Sequence, residues 1–585
     1  MADRITTEVL RSKFEALLGQ MKFLLVRSAY STLTRESRDC SFGICTAGGE
    51  MPFEGAGPHV FIYGRAARRL LARASADGLR EGDVFIGNDP HEIGVGHSPD
   101  VLVMTPVLYG GALVAFCGSI AHKMDIGGAV PGSIYSGATE VYQEGLVIPF
   151  MRLYEQGKVV PQVEEVVRAN VRNGDVFLGD LGAQVGATLV AADRIKALAA
   201  RYGVETLQEA FEEMLAAPQE RIRMAVERWP GRTAEAEAVL DPPPSHGRPV
   251  RLHLRVTREG GHLTFDFSGS EDQVRAPVNV PTTRVLHICG TCVLGMAESG
   301  IAENAGMARA FTLVAREGSV ANPLPPAPVG NTTMVIPAYI DMLVSALCAL
   351  KGQGAVAERG GHGTTALGWR GGLVAGRTYV QYELQASASG ASEWCDGVSA
   401  ANPLHFHYSR RSLGSLDFQE TPVEALEVQY PVRVRRYEII ADSGGAGRFR
   451  GGAAPRRLYE LLAPAYLNVR HARGFSLPAK GVGDGRPGRR GRVVVNLGAP
   501  SEDAMEGWGQ ELKAGDTWAF EGGGGGGAGD PQTRDPRLVL RDVREGFVSV
   551  EGAQKDYGVV VARRDSGLAL DAEATLRLRS GQRAG

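Results

Sequence analysis

An α+β fold, built as several layers of mixed α/β structure with a β-rich C-terminal part, is predicted by three features of this sequence. The first thirty residues and the stretch from about 162 to 228 place apolar side chains at helical spacing. Short apolar runs joined through Gly-Gly turns recur in the first half and again from about 234. Beyond about 425, short strands and glycines dominate. A chain of 585 residues is longer than one hydrophobic core serves, so we divide it into an N-terminal α+β region 1–230, a central mixed region 231–425 and a β-rich region 426–585.

The opening segment aligns Leu10, Phe14, Leu17, Leu18, Met21 and Leu25 on one helical face. Its charges, and the lack of a following cleavage site, separate it from a signal peptide. No apolar run elsewhere is read as reaching the ~18 residues of a membrane span, so no membrane partner and a cytoplasmic location are expected. With 44% apolar and 22% charged residues and a formal net charge of -3, the chain has a globular balance and no basic footprint for nucleic acid. Seven cysteines, odd and sparse, argue for reduced thiols. "HICGTC" gives His287, Cys289 and Cys292 a ligand-like spacing, but the second Cys pair of a structural zinc site is absent, and a buried helix is the plainer reading.

"DCSFGICTAGGEM" reads as a strand, a Gly-Gly turn and a second strand, with Asp39 at the first strand's start. "RAARRLLARASADG" then gives a helix closed by Gly78, and "DVFIG" a strand running into the loop "GNDPHEIGVGHSPD". Two apolar strands follow in "DVLVMTPVLYGGALVAFCGSIAH", joined through Tyr109-Gly110-Gly111. His97 and Asp100 precede this hairpin, and His122 and Asp125 follow it. Because a hairpin returns the chain to where it began, the two loops are expected to meet at one end of a sheet. Further on, "RLHLRVTREGGHLTFDFSGS" reads as another hairpin and "AYIDMLVSALCAL" as a helix.

Both H-x-x-D stretches, His97 to Asp100 and His122 to Asp125, join an imidazole to a carboxylate beside glycines, a set suited to a divalent cation such as Mn, Zn or Fe(II). Asp39 and Asp89 offer further oxygens. Loop Asp and Asn side chains more commonly cap turns, but two such motifs at the ends of one hairpin favour the metal. The run "EGGGGGGAGD" lacks the lysine of a phosphate-binding loop and reads as flexible or closely packed backbone. His405 and His407 of "HFHYSRR" are a minor ligand candidate. No G-x-S-x-G elbow and no reactive cysteine context is present.

These stretches carry a family resemblance. From "ESRDCSFGICTAGGEM" through "GNDPHEIGVGHSPD", "AHKMDIGGAVPGS", "ATEVYQEGLVIP", "GDLGAQVGA" and "DFSGSEDQVRAPVN" to "GGGGGGAGDP" and "KDYGVVV", the chain resembles the hydantoinase B/5-oxoprolinase family, which includes subunits of acetone and acetophenone carboxylases. The resemblance implies a hetero-oligomer in which an actin-like, hydantoinase A-like ATPase subunit uses ATP to phosphorylate the carbonyl oxygen of a small-molecule substrate. This chain then completes the reaction, fitting its own lack of a nucleotide motif. It also implies metal ligands among Asp39, His97, Asp100, His122 and Asp125. The family often has Tyr where this chain has His91, and His where it has Lys123; Lys123 is open to two readings, orienting an anion or pointing to solvent.

The activity expected is hydrolysis of an activated cyclic amide by water on a Mn- or Zn-type centre, with Asp125 or Glu144 as general base. ATP-dependent ketone carboxylation is the rival reaction, marked by a need for bicarbonate, and a non-catalytic scaffold for the ATPase is the rival class. A donor set rich in carboxylate and lacking thiolate speaks against the scaffold.

Overall fold

The computed structural model describes residues 3–55, 59–297, 300–368, 379–400, 405–406, 411–412, 420–505, 508–565 and 567–581. The opening helix spans Arg4–Ser28, and Leu10, Phe14, Leu17, Leu18, Met21 and Leu25 form its buried face as the spacing requires. That face lies on a six-stranded antiparallel sheet of β1 (Cys40–Thr46), β2 (Val84–Gly87), β3 (Asp100–Tyr109), β4 (Ala112–His122), β5 (Met151–Glu155) and β6 (Lys158–Val159), in the order β1-β4-β3-β2-β5-β6. Gly110 and Gly111 turn the β3–β4 hairpin with φ of 60° and 81°, a mirror-image turn open to glycine, and Asp100 ends up opposite His122.

Alternation along the strands sorts the side chains between two faces. Cys40, Phe42 and Ile44 of β1, with Ala115, Cys117 and Ala121 of β4, meet the helices Arg4–Ser28 and Gly174–Tyr202. Phe116 and Ile120 of β4 and Leu102 and Met104 of β3 face the helix Val60–Asp77 and the main core. Gly43 and Gly118 are register partners, and a Cβ on either would fall 2.6 or 2.5 Å from the Tyr63 ring. The paired glycines make the slot that admits this ring, whose hydroxyl accepts from Ile120 N at 3.0 Å.

The second strand expected after the Gly-Gly turn does not form. Thr46 N donates to Glu50 O at 2.7 Å, and Met51 and Phe53 then leave the sheet for two different cores. Helices Pro161–Asn170, Gly174–Tyr202 and Val204–Glu227 fill the stretch read as helical. The hairpin read in the central region is Val250–Glu259 with His262–Asp266, part of a four-stranded sheet with Thr233–Leu240 and Phe311–Val314. Cys289 and Cys292 sit on the buried helix Thr282–Met296. Two helices, Gly174–Tyr202 and Thr332–Lys351, are long and apolar enough to cross a membrane by length and composition, which corrects the expectation that no run reaches that size. The second is apolar on nearly every side because it is a core helix packed among protein, and most of it is buried.

Two larger sheets follow. Val380–Gln385, Gly363–Gly368, Ala465–Arg470 and Gly509–Leu512 form a four-stranded sheet drawn from both sides of residue 425. Val432–Ile439, Pro455–Leu461, Thr517–Glu521, Arg492–Val495 and Asp503–Ala504 form a five-stranded one. His405 falls in a two-residue strand paired with Arg411–Ser412, while His407 lies outside the described residues.

The glycine run is closely packed backbone, the second of the two forms expected for it, and its amides are engaged by neighbouring carbonyls. Gly523 and Gly526 donate to the carbonyls of Gly361 and Glu358, Gly524 and Gly527 to those of Arg489 and Arg486, and Gly525 and Ala528 to those of Gly452 and Phe449. The acceptor chain repeats every third residue and steps back by three, the pattern of an extended helix of about three residues per turn surrounded by three antiparallel neighbours. Neighbouring backbones come so close that a Cβ on Gly524 would lie 1.7 Å from Ser443 O.

Candidate metal centre

The β3–β4 hairpin brings its two ends together as its turn demands. His97 reaches the site from the loop before β3, where Asp100 N bonds His97 O at 3.0 Å, a turn that aims both side chains at one point. His122 closes β4 on the same face as Asp100. The three donor atoms converge: His97 Nε2 lies 3.1 Å from Asp100 Oδ1 and 3.0 Å from His122 Nδ1, and His122 Nδ1 lies 3.2 Å from Asp100 Oδ1. All three residues are buried. His97 Nδ1 is 3.2 Å from Gly330 O, a contact that leaves the Nε2 lone pair for the cluster.

Protonation states suit a cation. Burial would raise the Asp100 carboxyl, but His97 and His122 outweigh it and hold it well below the usual range. Burial pushes His122 down to about 4, against the pull of Asp100, so its imidazole is neutral near pH 7. Two imidazole nitrogens and a carboxylate oxygen crowded this closely could hold a divalent metal ion. His122 Nε2 is buried without a hydrogen-bond partner, and the ring lies 4.8 Å from that of Tyr382.

The remaining sequence candidates divide. Asp39, half-buried just before β1, stands close enough to Asp100 for burial and that charge to raise its carboxyl to about 7. Arg38, with φ of 58°, turns the chain into it, and Asp39 O accepts from His122 N at 3.1 Å. Glu144, wholly buried, accepts from Gly330 N at 2.7 Å and Val329 N at 3.0 Å, and burial raises it to about 7. It therefore supports the peptide that faces His97.

Asp125, Lys123 and Asp89 are engaged elsewhere. Asp125 accepts from Gly127 N and Gly132 N and pairs with Arg172 at 2.9 Å. Lys123 is buried, which corrects the reading that it points to solvent. As the neighbour of His122 in extended chain it points to the opposite face, where Nζ donates to Gln184 Oε1 at 2.7 Å. Asp89 caps its own loop, accepting from the amides of His91 and Glu92.

Four residues that nothing in the sequence marks complete the surroundings. His59 Nε2 is 3.9 Å from Asp100 Oδ2, and its Nδ1 meets Ser41 Oγ at 2.7 Å. Burial pushes the Arg284 guanidinium down to about 10, against the pull of the Asp100 and Asp39 carboxylates. Tyr382 and Arg470 come from the sheet that closes over the hairpin.

Comparisons agree with this architecture. The chain matches the family described as Hydantoinase B/oxoprolinase over residues 3–531, and it belongs to that family. It is 28% identical to the B subunit of a putative D-/L-hydantoinase of Pseudomonas sp. strain NS671, covering 99% of this chain and 98% of that one. It is 29% identical to the beta subunit of the caprolactamase of Pseudomonas jessenii, over 98% of each chain. It is also 26% identical to the 5-oxoprolinase of Dictyostelium discoideum, over 84% of this chain and 38% of that longer protein. The crystal structure of ATP-dependent caprolactamase from P. jessenii superposes with a TM-score of 0.87 at 27% identity, over 99% of this chain and 100% of that one. A nucleotide-free acetone carboxylase structure shares the fold, with a TM-score of 0.89 at 18% identity over 100% of this chain and 83% of that one.

Proposed function

We propose that this chain is the catalytic subunit of an ATP-dependent cyclic amide hydrolase in the cytoplasm, acting on a ring whose carbonyl oxygen a separate hydantoinase A-like ATPase subunit has phosphorylated. The observation that carries this reading is the convergence of His97 Nε2, His122 Nδ1 and Asp100 Oδ1 within 3.0 to 3.2 Å at one end of a rigid hairpin. Family relatives named for hydantoin, oxoproline and caprolactam chemistry support the substrate class, and those named as B or beta subunits support a partner.

In this reading His97, Asp100 and His122 would hold a Mn or Zn ion, with Asp39 as a further oxygen donor beside them. Such an ion would supply Lewis acidity and would lower the pKa of a bound water towards ~7. Gly330 O fixes the His97 ring, and Glu144, by holding Gly330 N, fixes that carbonyl. Glu144 also has the proton affinity of a base poised near neutral pH: raised to about 7 by burial, it would relay the attacking water's protons to the ring nitrogen as the C–N bond breaks, leaving an acyl phosphate that a second water cleaves to carboxylate and inorganic phosphate. Asp125 and Lys123 hold the scaffold on either side.

The test is reconstitution with the ATPase partner and a panel of 5-oxoproline, hydantoin and caprolactam. ATP-dependent ring opening without bicarbonate is the expected result. Turnover of a ketone that requires bicarbonate would replace hydrolysis with carboxylation, and ring opening that survives His97→Ala and His122→Ala would make the chain a scaffold.

A further inference from the structure

Arg470 is one of the largest fully buried side chains of the protein: it is 1% exposed, and among the described residues no Asp or Glu oxygen lies within ion-pair distance of it. Its Nε and Nη2 make no hydrogen bond. These two nitrogens form the side-on edge of a guanidinium, two parallel N–H groups spaced for the oxygens of a phosphate or carboxylate. A buried charge with an empty donor edge is costly, and such groups persist where function uses them.

Its place in the fold aims it at the candidate centre. On the strand Ala465–Arg470, Leu467 and Val469 face the C-terminal core, so Asn468 and Arg470 face the opposite way. Asn468 Nδ2 donates to Ile134 O at 2.7 Å, which docks that face on the loop following the metal hairpin. The guanidinium sits 4.7 Å from the Tyr382 ring, and the same ring lies 4.8 Å from the His122 imidazole. Arg470 is also near enough to Glu144 for each to act on the other's charge.

We infer that Arg470 is a substrate-positioning residue whose Nε–Nη2 edge takes the phosphoryl oxygens of the activated substrate, one aromatic ring away from His122. This rests on the hydrolase reading for the identity of the phosphoryl group, but the oxyanion site itself does not. A substrate carboxylate has the same chemistry, and binding separates the two sources.

Calorimetric titration of the purified chain with inorganic phosphate and with acetate, with and without Mn, tests this in the wild type, Arg470→Lys and Arg470→Met. Phosphate is expected to bind the wild type and to weaken at least about tenfold in Arg470→Met, with an intermediate loss in Arg470→Lys, which keeps the charge but not the fork. The melting temperature of Arg470→Met is expected to hold or rise, since an unbalanced buried charge has gone, whereas a structural role requires it to fall. Equal phosphate affinity in wild type and Arg470→Lys, or none in the wild type, overturns the proposal. Acetate binding tighter than phosphate with the same dependence on Arg470 overturns the phosphoryl assignment in favour of a substrate carboxylate. A chain that binds phosphate through Arg470 but takes up no metal sinks the hydrolase reading and leaves the oxyanion site standing.

Discussion

Asp100 opens β3 and His122 closes β4, register partners whose side chains share a face with Oδ1 and Nδ1 3.2 Å apart. The pairing follows from hairpin arithmetic, so the two donors are placed by ladder hydrogen bonds rather than by loop conformation. A site set on strands in this way is held before any ligand arrives.

Glu144 gives a pH signature. Its ordinary value is 4.5 and burial raises it to about 7 in the folded chain, where the two backbone N–H bonds only partly offset the desolvation. Between these values the folded state keeps a proton that the unfolded state has lost, so this group's contribution to stability falls as pH rises through the window. Denaturant midpoints measured from pH 4.5 to 7.5 are expected to show a negative slope component that Glu144→Gln removes. An unchanged slope in that variant would mean Glu144 is already ionised in the fold.

The Tyr63 slot sets a second expectation. Gly43→Ala would put a Cβ 2.6 Å from the Tyr63 ring, inside a packed sheet with backbone on either side. A loss of about 1–3 kcal/mol in urea unfolding is expected, the usual cost of overpacking. A variant as stable as the wild type would show that the ring moves freely.

The glycine helix offers a matched pair. Gly524→Ala collides with a backbone carbonyl and is expected to cost at least about 3 kcal/mol or to prevent folding. Gly186→Ala, on an exposed turn of the helix Gly174–Tyr202 with nothing near its Cβ, is expected to stabilise by about 0.5–1 kcal/mol. Similar effects from both would contradict the close-packed arrangement.

The hairpin, its turn and the meeting of His97, Asp100 and His122 were legible because they depend on local chemistry: alternating apolar residues, a Gly-Gly turn and the two-residue period. Asp125 and Lys123 have their partners away from the three converging donors for a physical reason. The first H-x-x-D folds back through the Asp100 N to His97 O bond, whereas His122 and Lys123 continue extended, bonding Asp39 O and Pro99 O, so Asp125 is carried on to Arg172. Identical spacing thus gives different geometry. Tyr382 and Arg470 were invisible because they reach the centre only through the pairing of Gly363–Gly368 with Val380–Gln385 and Ala465–Arg470, a register that no local pattern encodes.

Metal content of the folded wild type beside His97→Ala, Asp100→Asn, His122→Ala and Asp125→Asn, after exchange with Mn and Zn and with circular dichroism on each, tests the centre most directly. The account expects about one equivalent of transition metal in the wild type, retention in Asp125→Asn, and affinity lowered by more than about 100-fold in the other three. A wild type that stays metal-free, or metal lost only with Asp125, would contradict it.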